Sequence, residues 1–173
     1  MRFQGTCYRA HDPKWSFSPL SGEGARVHGG RFNPRGMPTL YLALTIDGVF
    51  ADVAHGFARR FDPLTVCSYD VDVDDIDDLR EDAGRKASGV DPADLGCAWA
   101  SDVASGRKPA SWRVAERLIG RGSAGVLVPS FAAGAKPDMA NLVLWQWGPA
   151  LPHRVDVYDP SGRLPKDQTS WPS

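Results

Sequence analysis

With 173 residues, 42% of them hydrophobic and 24% charged, the chain has an ordinary globular composition and enough length for one well-buried domain. A formal net charge of −1 provides no global field for nucleic acid or an anionic membrane, so an anionic ligand must be met locally by a few arginines. No apolar run reaches bilayer length, no signal-peptide core stands at the N-terminus, and Cys7, Cys67 and Cys97 form neither a metal motif nor a disulfide framework, which predicts a reduced, cytoplasmic protein.

Along the chain, Thr6 to Ala10 reads as a first strand with Arg9 near its end. Residues 11–30, rich in Ser, Gly, Pro and His, read as a long loop of the functional kind. Leu40 to Leu44 is a short apolar strand. Asp47 is placed to cap a helix running through Arg60, with Val49, Phe50, Val53 and Phe57 at helical spacing and with Asp52 and His55 on one face. Thr65 to Val71 alternates as a strand, putting Cys67, Tyr69 and Val71 on one side. Eight acidic residues between Asp70 and Asp82 lack the glycine and terminal glutamate of an EF-hand and read as a solvated face. Ser111 opens a second helix as its cap, carrying Trp112, Ala115, Leu118 and Ile119 inward, with Glu116 as a surface charge. Gly125 to Pro129 and Leu142 to Trp147 are strand-length apolar runs, and Val155 to Tyr158 reads as an edge strand. Two solid helices among several short strands predict an α+β fold, with one domain over 1–158 and an extended or disordered tail over 159–173.

The most informative stretch is His28-Gly29-Gly30-Arg31-Phe32-Asn33-Pro34-Arg35-Gly36, followed by Tyr41-Leu42-Ala43. Two glycines let a backbone pass close to a ligand, and Arg31 offers a planar fork of donors suited to a diphosphate or carboxylate. Tyr41 returns past that loop. An arginine and an aromatic ring on adjacent edges of a cleft suit a nucleotide-like ligand. A basic surface hairpin with Tyr41 packed in a core fits the same spacing equally well.

Gly-Gly-Arg-Phe-Asn-x-x-Gly followed by Leu-Tyr-Leu-Ala resembles the opening motif of the RES-domain proteins, toxins of bacterial toxin–antitoxin pairs. The likeness continues with Val-Pro-Ser at 128–130 and Asn-Leu-Val-Leu at 141–144. This resemblance implies an ADP-ribosyltransferase-like fold of short twisted strands with two principal helices. It implies NAD as substrate, cleavage of the nicotinamide–ribose bond, and no metal. On the family pattern, Arg31 and Arg9 grip the phosphates, Tyr41 stacks on nicotinamide, Ser130 holds the amide or ribose, and Asn141 contacts ligand or caps its own loop. The family glutamate falls at Asp52, one methylene shorter; His28 stands beside the double glycine within reach of the same ligand.

The aspartate at 52 resembles the ParT-like branch of the family, which modifies a protein target, and that branch implies ribose-phosphate pyrophosphokinase as the acceptor. Two alternatives stand beside this reading: a glycohydrolase or phosphorylase that depletes NAD, and a non-catalytic nucleotide-binding regulator. The resemblance further implies a cognate antitoxin with an Xre-type helix-turn-helix domain. Direct binding to nucleic acid or membrane is not expected.

Overall fold

In the computed structural model, which describes residues 1–54 and 62–169, seven strands share one sheet. They are β1 (Phe3–His11), β2 (Leu40–Ala43), β3 (Thr65–Val73), β4 (Ile76–Asp78), β5 (Gly125–Pro129), β6 (Ala140–Leu144) and β7 (His153–Val157). Their order is β4-β5-β6-β2-β1-β3-β7, all neighbours antiparallel except β4 with β5. The helices are α1 (Glu23–His28), α2 (Ile46–Ala54), α3 (Asp82–Ser88), α4 (Pro92–Leu95), α5 (Trp99–Ala104) and α6 (Ala110–Gly120). The expected α+β class with two principal helices, α2 and α6, holds.

Period-2 alternation divides the central strands between two cores. Leu40 and Leu42 of β2, Leu127 of β5, and Leu142 and Leu144 of β6 join Cys7, Cys67, Tyr69 and Val71 in one cluster. Val126, Val128 and Val143, one residue out of phase, face the second cluster with Leu95, Val114, Ala115 and Leu118 from α4 and α6. Tyr41 packs on that second side. β1 pairs with β3 over nine residues but meets β2 only at Tyr8 opposite Ala43. The two strands therefore part beyond that pair, and α2 lies against both. This divergence leaves a recess between β1, β2 and α2 that borders the site.

Several elements differ from the sequence expectations. The segment 11–30 is no open loop: it holds a 3-10 turn at Pro13–Trp15, capped by Asp12, and α1. Pro109, not Ser111, precedes α6; Ser111 is buried inside the first turn because its hydroxyl is taken by a distant carbonyl. β6 ends at Leu144, where the Trp145 and Gln146 amides both turn to the Ala124 carbonyl. The acidic run is partly structural. Asp72 is held by Arg2, Asp77 accepts from Ser88 and Ser123, and Asp78 pairs with Arg80. His55, Phe57 and Arg60 lie outside the described residues. Beyond β7, Asp159 accepts the Arg163 and Leu164 amides and Leu164 packs on the first core.

The Arg2 guanidinium, 2.7 and 2.8 Å from the two Asp72 oxygens, holds that carboxyl down to about 2. A carboxyl lowered in the folded state stabilises above its unfolded value, near 4, and that contribution fades as pH falls through about 2. Arg2→Met should therefore show a lower urea midpoint than the parent at pH 7, with the gap closing between about pH 4 and about pH 2. A gap independent of pH would mean that only the packing of the Arg2 stem matters.

Candidate functional site

The Gly-Gly-Arg-Phe-Asn stretch is built to fold on itself. Gly29 takes φ +75°, which L side chains rarely adopt, and ends α1. A Cβ on Gly30 would lie 2.6 Å from the Tyr41 hydroxyl and 2.7 Å from Asn33 Oδ1. Self-packing, rather than approach to a ligand, therefore demands the second glycine. The Tyr41 hydroxyl donates to Asn33 Oδ1 at 2.7 Å and accepts the Phe32 amide at 3.0 Å. Asn33 is fully buried, and its Nδ2 donates to the carbonyls of Ala25, Pro34 and Met37. Burial raises the Tyr41 phenol above its ordinary value, so this hydroxyl stays protonated. Gly30→Ala should lower the stability of the fold by about 1–3 kcal/mol, the usual penalty of overpacking, as read by thermal unfolding. An unchanged melting temperature would show that Tyr41 yields without loss.

Three consecutive carbonyls of this loop are held by side-chain donors. Trp112 Nε1 donates to Gly30 O at 2.8 Å, the Ser111 hydroxyl to Arg31 O at 2.5 Å, and Trp145 Nε1 to Phe32 O at 3.1 Å. The Arg31 guanidinium is fixed at its far end as well. Its Nη1 donates to the carbonyls of Leu95 at 3.0 Å and Cys97 at 2.7 Å, and its carbon lies 4.5 Å from the centre of the Phe131 ring. The Nε–Nη2 edge carries no partner among the described residues. A planar cation is thus locked before any ligand arrives.

The second charged group is Asp52 on α2. Its carboxylate accepts the Ser130 hydroxyl at 3.3 Å and Asn141 Nδ2 at 3.1 Å, from the end of β5 and from β6. The Asn141 Oδ1 atom is buried and has no partner among the described residues. Arg31, Tyr41, Asp52, Asn141, Trp99 and Phe131 line one cleft of about 360 Å³, with Ser130 beside it through Asp52. A fixed cation, aromatic walls and an oriented carboxylate therefore share one space. Such a set can hold an anionic group while opposing a positive charge that develops nearby.

Arg9 stands apart from this cleft. It lines a smaller recess between β1, β2 and α2, about 150 Å³, whose walls also include Tyr41 and Asp52. Its Nη1 is spent on the carbonyls of Pro19 and Ser21, at 3.2 and 2.9 Å. His28 is not in the cleft either; it lines a third cavity, with Arg9, on the α1 side. Glu116 is exposed and pairs with Lys108. Phe131 and Trp99 escaped the sequence reading, which has Trp112 only as an inward-facing helix residue and Trp145 only within an apolar strand. The one local hint was Phe131 directly after Ser130. Among the described residues, no group of three or more His, Cys, Asp or Glu could hold a metal ion, and no helix is long and apolar enough to cross a membrane.

Two comparisons with known proteins give a match. The family model for the RES domain matches residues 6–167. Among solved structures, the M. tuberculosis MbcT–MbcA toxin–antitoxin complex is similar at 27% identity and a TM-score of 0.52, over 83% of this chain and 75% of that one. No curated protein matches the sequence.

Proposed function

Because the chain belongs to the RES-domain family, we propose that it is the toxin of a toxin–antitoxin pair that binds NAD, breaks the nicotinamide–ribose bond and passes ADP-ribose to a protein acceptor. The observation that carries this reading is a pre-fixed Arg31 and an Asp52 that accepts from Ser130 and Asn141, both lining one aromatic-walled cleft.

Departure of neutral nicotinamide leaves positive charge on the ribose. A carboxylate held in place by Ser130 and Asn141 opposes that charge without having to reorganise at the moment of reaction. Arg31, oriented by two carbonyls and stacked on Phe131, meets the diphosphate with its remaining edge. The Tyr41 ring supplies a flat wall for the nicotinamide, its hydroxyl being committed to Asn33. Arg31, Tyr41 and Asp52 are the catalytic and substrate-binding residues of this proposal. Ser130 and Asn141 act through Asp52 and are positioning residues.

The likeness to a toxin solved with its antitoxin supports an antitoxin partner, which we assign to the Xre type. The acceptor is taken to be ribose-phosphate pyrophosphokinase. Incubating the purified chain with NAD and cell extract tests the reading: nicotinamide should appear, together with one protein whose mass rises by an ADP-ribosyl group. Nicotinamide without a modified protein would move the assignment to NAD hydrolysis or phosphorolysis. Absence of both would leave a nucleotide-binding regulator.

A further inference from the structure

We propose that the cavity between β1 and α1 is the subsite for the purine nucleotide half of the dinucleotide, with Arg9 meeting phosphate and His11 reading the ring or ribose. The proposal rests on the NAD reading above and extends it to a region that reading leaves empty of a role. Four observations carry it.

The first is an uncompensated charge. Arg9 is largely buried, yet no carboxylate pairs with it among the described residues, and its only acceptors there are the neutral carbonyls of Pro19 and Ser21. A buried cation with no counter-charge is costly, and an anion at the same place removes that cost. Glu23 borders the cavity but is not available for this purpose, because Arg26 holds both of its oxygens at 2.5 and 2.6 Å.

The second is His11. Both ring nitrogens are buried and have no hydrogen-bond partner among the described residues. Burial, with Arg9 adding to it, lowers the His11 value, so the ring is neutral and presents one donor and one acceptor. Unmet buried polar atoms of this kind each cost about 1–3 kcal/mol. A purine edge or a ribose hydroxyl offers both complements.

Third, the cavity has the size and walls for a flat ring. It encloses about 200 Å³, the volume of roughly six or seven water molecules, so it admits a ring but not a whole dinucleotide. Trp15 and Val27 stand at its rim, 45% and 54% exposed although apolar, which suits a stacking partner.

The fourth is position. Arg9 borders both this cavity and the recess that contains Tyr41 and Asp52, and that recess shares those two residues with the Arg31 cleft. The three spaces follow one another in a row. A ligand with a reactive ring at one end, phosphates in the middle and a second base at the far end matches that row.

Calorimetric titration of adenosine monophosphate, inorganic phosphate and nicotinamide mononucleotide into the full chain tests the subsite. Because Arg9 also anchors Pro19 and Ser21, the variants are His11→Phe, which keeps a flat ring and removes both nitrogens, and Trp15→Ala. Each should weaken adenosine monophosphate binding at least tenfold and leave nicotinamide mononucleotide binding within twofold. Equal binding to parent and variants, or competition between the two mononucleotides for one place, would overturn the subsite. Phosphate binding as tightly as adenosine monophosphate would overturn its purine half. Nicotinamide release by the parent, measured in parallel, separates the two levels. Active parent protein with unaltered variants refutes the subsite alone, whereas the expected variant losses with no release support the subsite and refute the reaction.

Discussion

Arg31→Lys is expected to lower nicotinamide release from NAD by about 100-fold and to weaken NAD binding with it. The guanidinium does three things at once: it donates to the Leu95 and Cys97 carbonyls, lies flat on Phe131, and keeps a second edge for an anion. An ammonium is a point donor on a flexible stem and cannot satisfy the carbonyls while presenting a fork elsewhere. Charge-assisted hydrogen bonds contribute about 1.5–3 kcal/mol each, and tenfold in rate corresponds to about 1.4 kcal/mol, so losing one of the two bonds of a bidentate contact while the ammonium keeps the other gives up to about the stated factor. Steady-state release and equilibrium NAD binding measure it. Parent-like values in both would remove Arg31 from the site, and a lowered melting temperature with normal NAD binding would confine it to holding the 95–97 segment.

Asp52→Asn should divide the two measurements. The amide keeps the shape and one acceptor oxygen for Ser130 or Asn141 but removes the negative charge. If that charge opposes the positive ribose, its loss falls on the transition state and not on the bound ground state. Release should drop about 100- to 1000-fold, the range seen when one electrostatic stabiliser is removed, while NAD affinity changes by less than about threefold. Equal losses in both would make Asp52 a positioning residue. No loss in either would exclude it from the chemistry.

These two residues also show how far the amino-acid order reaches. Arg31 and Tyr41 are legible as candidates because a motif is a local object whose residue types announce their chemistry, and Asp52, Ser130 and Asn141 are candidates through the likeness to the RES-domain pattern. That β2, β5 and β6 are strands is legible too, from their short apolar runs; the folded sheet, with side chains reversing face at every residue, is what puts Leu127 and Val128 in different cores. What these residues do to one another is not local. Asp52 meets Ser130 and Asn141 across 78 and 89 positions of chain, and Arg31 meets Leu95 and Cys97 across 64 and 66. No spacing rule spans such distances.

Tertiary demand likewise overrode three local signals. Ser111 has the chemistry of a helix cap but gives its hydroxyl to Arg31 O, 80 residues away. Gly30 has the look of a ligand-facing glycine but makes room for the Tyr41 hydroxyl. The acidic run has the composition of a solvated face, yet Arg2, Ser88, Ser123 and Arg80 draw three of its members into pairing. The chain by itself determined which side chains are available and which strand faces are apolar, since both follow from residue type and a short period. Only the folded sheet decided which of them meet, because a hydrogen bond between distant segments depends on where the backbone carries them.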